Sequence, residues 1–116
     1  MTVRECYESV GSDYDKVLGR LGSDRVIQKF AGKFLNDPNY RELGEALRVQ
    51  DAERAFRAAH TLKGVCLNLG FDKLYEASAS LTEQIRDRDL TGYEPFYQDV
   101  QTEYEKLADA IAQLDS

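Results

Sequence analysis

The chain is poor in the side chains that most active sites use. Among its 116 residues there is one histidine, His60, and there are two cysteines, Cys6 and Cys66. The cysteines make no CxxC pair and, with a single imidazole, no metal-ligand cluster, so we expect them to be reduced and structural and expect no metal site. No apolar run approaches the ~20 residues that a bilayer span requires. The start, Met1-Thr2-Val3-Arg4-Glu5, has no apolar stretch of signal-peptide length and carries an acid early. A cytoplasmic protein without a membrane partner is the expectation. Glycine-rich nucleotide loops of the GxxxxGK[ST] and GxGxxG types are missing as well, so neither ATP binding nor self-phosphorylation is expected. The formal net charge of -6 lacks the basic surplus that nucleic-acid backbones favour, which points to protein partners.

What is present is a globular balance, 42% hydrophobic and 31% charged, in a length that suits one domain over residues 1–116. Helical period runs through nearly all of it, and strand-type alternation does not. Thr2 followed by Glu5 has the form of a capping box opening a short helix to about Val10. Gly11-Ser12-Asp13 and Gly22-Ser23-Asp24 each restart a helix, the second of these carrying Val26, Ile27, Phe30, Ala31, Phe34 and Leu35 at steps of three and four. Asn36-Asp37-Pro38-Asn39 interrupts. Leu43, Ala46 and Leu47 continue the pattern to Gln50, and Asp51 caps a helix that carries His60 to Asn68-Leu69-Gly70. Further helices are expected from about Asp72 to Arg88 and from about Pro95 to Leu114. Short connections favour antiparallel neighbours, so the predicted fold is all-α, an up-and-down four-helix bundle with short additional N-terminal helices closing one end.

A helical wheel puts Ala55, Ala58, Leu62, Cys66 and Leu69 on the face opposite His60. They are the expected core stripe, and the histidine is expected in solvent. Its own face carries Glu53, Phe56, Arg57, Lys63, Gly64 and Leu67. Imidazoles titrate near ~6.5, so a neutral, nucleophilic nitrogen is populated at neutral pH. Lys63 and Gly64, three and four residues on, share the face of the ring. A cation for phosphoryl oxygens and a gap for a partner suit a histidine that receives a phosphoryl group. The plainer account is a surface histidine without a role, with Phe56 and Leu67 as shoulders of the core; the functional one makes Phe56, Arg57 and Leu67 part of a docking surface.

The run Ala59-His60-Thr61-Leu62-Lys63-Gly64-Val65-Cys66-Leu67-Asn68-Leu69-Gly70 resembles the signature of the histidine-containing phosphotransfer (HPt) domains of two-component phosphorelays. Leu43-Gly44-Glu45-Ala46-Leu47, Asp51-Ala52-Glu53-Arg54-Ala55-Phe56 and Leu74-Tyr75-Glu76-Ala77 extend the likeness over about residues 23–88. The resemblance implies a four-helix bundle whose histidine accepts a phosphoryl group from a receiver aspartate and passes it to another receiver. By position it makes His60 the phospho-acceptor, Lys63 the phosphate-side cation, Gly64 the clearance residue, and Asn68 and Gly70 the helix terminators. It implies no cofactor in the chain itself, a divalent metal in the partner, and response-regulator receiver domains as partners, such as that of a hybrid sensor kinase. Val65, Cys66 and Leu67 depart from the small residues frequent after the glycine, and Phe71 replaces a small residue.

Other features read as structural. Arg86, Asp87, Arg88 and Asp89 form an alternating charged run expected as a solvated helix end. Tyr93, Tyr97 and Tyr104 are expected to lie over a core edge. Without a strong heptad seam the expected state is a monomer. The alternative function is a non-phosphorylated helical adaptor that binds a receiver or another signalling protein through the His60 face.

Overall fold

The computed structural model describes residues 1–114. Seven helices follow in order: α1 (Val3–Ser9), α2 (Tyr14–Leu21), α3 (Asp24–Phe34), α4 (Asn39–Arg48), α5 (Ala52–Leu69), α6 (Asp72–Gln84) and α7 (Glu94–Ala112), with no strand among the described residues. Four of the starts are set by short polar side chains that accept from the otherwise unpaired first amides. Thr2 and Glu5 form a reciprocal capping box on α1, and Asp13, Ser23 and Asp51 cap α2, α3 and α5.

Helices α4, α5, α6 and α7 pack side by side in chain order. Small residues make this possible at α5, whose buried positions are Ala55, Ala58, Ala59, Leu62 and Cys66. Three alanines let the neighbouring helices approach closely, and burial of Leu62 alone is worth roughly 1.5–3 kcal/mol. Aromatic rings close α7 onto α4. Tyr104 stacks on Tyr40 with centroids 3.6 Å apart, and the Tyr97 hydroxyl stands where a side chain at Gly44 would begin. Tyr93, Tyr97 and Tyr104 are all half-buried.

The remaining helices cover one end. Tyr7 of α1, Tyr14 of α2, Phe34 of α3 and Phe71 at the α5–α6 turn form a buried aromatic cluster with ring centroids 5.0–5.3 Å apart. Phe71, the departure from the small residue of similar chains, is thus the side chain onto which Tyr7 of α1 and Phe34 of α3 pack, with Tyr14 of α2 against Tyr7. Burial pushes the Tyr7 hydroxyl and the Cys66 thiol well above their ordinary pKa values, which keeps both groups neutral.

Three expectations change. The helix α6 stops at Gln84 rather than near Arg88, because Arg86 and Arg88 donate to the carbonyls of Glu83 and Ile85 three residues back and Arg88 takes a φ of +64°. Leu69 is half-buried, not a core residue, since the helix ends there and its face opens toward α3. The Arg86–Asp89 run is not simply a solvated end, because two of its side chains fold back over Phe56 of α5.

Candidate functional site

Helix α5 carries the chemistry and is anchored at both ends. At the start, the Asp51 carboxylate accepts from the Arg54 amide at 3.1 Å. At the finish, Gly70 takes a left-handed conformation (φ +73°, ψ +25°), and the amides of Gly70 and Phe71 donate to the carbonyls of Leu67 and Cys66. This is a Schellman closure. The N-terminal helices complete it. Arg20 donates to the carbonyls of Leu67 (2.9 Å) and Asn68 (3.0 Å), and the Tyr7 hydroxyl donates to the carbonyl of Leu69 (2.7 Å). All four terminal carbonyls of the helix therefore have donors, and a guanidinium sits at the negative end of its dipole.

Midway between these anchors His60 is exposed. Phe56, one turn earlier, lies with its ring centroid 5.9 Å from the imidazole and its plane tilted by 33°. Phe56 is half-buried against the core, and its outer side is covered by the Arg88 guanidinium at 3.7 Å, with that of Arg86 at 5.8 Å. Both arginines are paired, Arg88 with Glu53 at 2.9 Å and Arg86 with Glu83 at 2.5 Å. The hydrogen bond from Arg86 holds the Glu83 carboxyl below the ordinary range, and the positive charge of Lys63 adds to the pull. Lys63 is half-buried as a residue, and its ammonium makes no ion pair among the described residues, which leaves it available to another anion.

Gly64 stands apart. A β-carbon built there would meet nothing within 4 Å. Leu67 is 53% exposed, the most exposed large apolar side chain described, and Arg57 is exposed one turn before the histidine. The residues singled out from the sequence thus share one open face of α5, except that Phe56 is shielded by arginines. Arg20, Arg86 and Arg88 were not legible as parts of this helix's surroundings, since their contacts with it span 47, 30 and 32 positions of chain without any local pattern.

Among the described residues no group of three His, Cys, Asp or Glu side chains is placed to hold a metal, and no helix is long and apolar enough to cross a membrane. The family model of the Hpt domain matches residues 37–115. The chain belongs to the Hpt domain family. Hpt domains serve phosphotransfer in two-component phosphorelays, where they meet response-regulator receiver domains. The Hpt match covers α4 through α7 and leaves α1 to α3 outside it. No curated protein and no solved structure matches the chain.

Proposed function

We propose that this Hpt domain protein is a phosphoryl carrier in which His60 accepts a phosphoryl group from the aspartyl phosphate of one receiver and passes it to another. The observation that carries this reading is Gly64. A glycine inside a helix costs about 1 kcal/mol relative to alanine, and the fold obtains nothing for it, since a β-carbon there touches no neighbour. The missing side chain makes sense when a second protein must come close to the helix one turn from the imidazole.

In the transfer the imidazole nitrogen attacks phosphorus in line. The N–P bond forms as the bond from phosphorus to the receiver's carboxylate oxygen breaks, and the aspartate leaves as a carboxylate. Lys63 offers its charge to the equatorial oxygens, and Arg57 and Leu67, with Phe56 beneath its arginine cover, make the surface that receives the partner. The chain needs no cofactor of its own, and the divalent metal belongs to the receiver's acidic pocket. Return of the phosphoryl group uses the same geometry, so supply sets direction. The protein acts as a cytoplasmic monomer, a single domain over residues 1–116, with the receiver of a hybrid sensor kinase among its partners.

The test is transfer of radiolabelled phosphate from a panel of phosphorylated receivers to wild type, His60→Gln and Lys63→Ala. Acid-labile, alkali-stable label on wild type, absent from His60→Gln and reduced in Lys63→Ala, is the expected result. A panel in which receivers bind yet none labels His60 would replace this reading with the adaptor function.

A further inference from the structure

The charged run after α6 does something that its sequence does not announce. Arg88 has a φ of +64°, a left-handed backbone that residues with a β-carbon rarely adopt. Such a conformation persists where the surroundings over-determine it. Arg88 is held by three contacts. Its guanidinium lies 3.7 Å from the centroid of the Phe56 ring, its Nε donates to the Glu53 carboxylate at 2.9 Å, and its Nη1 donates to the carbonyl of Arg86. The ring it covers is the one beside the His60 imidazole.

Two consequences follow for the histidine. A planar guanidinium stacked on an aromatic face restrains that ring, and a restrained Phe56 limits the rotations open to the imidazole one turn away. Glu53 also lies on the face of His60, seven residues earlier, or about 10 Å along the axis at the helical rise of ~1.5 Å per residue. Left alone, its carboxylate would repel both a phosphoryl group on His60 and the acidic pocket of a receiver. Arg88 neutralises it.

We propose that Arg88 is a positioning residue for phosphoryl transfer at His60, holding Phe56 against the imidazole and cancelling the charge of Glu53. This rests on the phosphotransfer function proposed above and adds to it a residue 28 positions beyond the histidine, outside the signature. Lys63 touches the transferred group, whereas Arg88 acts through Phe56 and Glu53.

The experiment uses the full chain as wild type, Arg88→Gly, Arg88→Lys and Arg88→Gly with Glu53→Gln. The glycine relieves the positive φ and the Arg88 side chain is 40% exposed, so the variants are expected to fold. Four readouts are compared: the NMR resonances of the His60 ring protons, the thermal midpoint, transfer from a phosphorylated receiver across a concentration series, and labelling by phosphoramidate, a small donor that needs no docking. Arg88→Gly should shift the ring resonances and lower the maximal transfer rate about tenfold, the scale of a modest misplacement of reacting groups, with the midpoint held and the half-saturating concentration changed less. Glu53→Gln should recover part of that loss, and Arg88→Lys should keep the charge effect without restoring the resonances. Unmoved resonances with a wild-type rate, or a rate loss that merely follows a fallen midpoint, would overturn the proposal while wild-type labelling still upheld His60 as acceptor. Failure of wild type to label from either donor would instead remove the phosphotransfer function itself.

Discussion

Two glycines six residues apart on α5 have opposite reasons to be there. At Gly70 the backbone is left-handed, and a β-carbon would fall 2.0 Å from Cγ2 of Val17. At Gly64 the backbone is ordinary helix and a β-carbon would meet nothing. The first glycine is required by the molecule and the second is not. The difference extends to the regions around them. The end of α5 is closed by Arg20, Tyr7 and Val17 from the N-terminal helices, with its carbonyls satisfied. The middle, around His60, is open on the side of Gly64 and Leu67 and fenced by arginine on the side of Phe56. A rigid end supporting an open middle is the arrangement that a helix needs in order to present one side chain to a second protein.

Alanine at the two glycines should break the symmetry most sharply. Gly70→Ala combines a positive φ with overpacking and should cost about 3 kcal/mol, measured by urea unfolding; adding Val17→Ala should return the steric part. Next in size are the donors at the helix end. Tyr7→Phe leaves the Leu69 carbonyl without its hydroxyl donor and should cost about 1–1.5 kcal/mol, while the exposed Arg20→Ala should cost about 1 kcal/mol, both without changing the half-saturating receiver concentration. Gly64→Ala should act with the opposite sign on stability, raising it by about 0.5–1 kcal/mol through helix propensity, while slowing transfer to His60 from receivers. A gain in stability together with undiminished transfer would show that no partner comes close there.

The smallest effect concerns acid. Hydrogen bonds from Arg54 and Arg86 hold the Glu42 and Glu83 carboxyls below their ordinary value of 4.5. Because the folded-state values are depressed, these pairs stabilise fully above pH 4.5 and lose their contribution as the pH falls through the lowered values. At the other end of α5 the carbonyls are held by amides, a guanidinium and a hydroxyl, with no carboxylate in these hydrogen bonds. Hydrogen exchange followed from pH 6 to 3 should therefore show protection falling first around α4, the start of α5 and the end of α6, with the amides of residues 70 and 71 holding longest.

Much of the site was legible because it is local. The steps of three and four that put Ala55, Ala58, Leu62 and Cys66 inside also put His60, Lys63 and Gly64 outside, and the caps at Asp51 and Gly70 mark the ends of their helix. The departure at Phe71 was visible but not its meaning, because the cluster with Tyr7, Tyr14 and Phe34 assembles residues from four separate segments. The end of α6 was misplaced for a similar reason. Arg86 to Asp89 carries no glycine or proline to stop a helix, and the turn is held by contacts to Phe56 and Glu53 on another element.

The amino-acid sequence by itself determined the helices, their phase, and the exposed face on which His60, Lys63 and Gly64 lie together, because helical period and capping act over a few residues. Only the tertiary structure decided that Gly70 has no room and Gly64 has some, that Arg20 closes the helix and that Arg88 covers Phe56. Those outcomes depend on where long side chains from distant segments come to rest, and spacing along one helix holds no record of that.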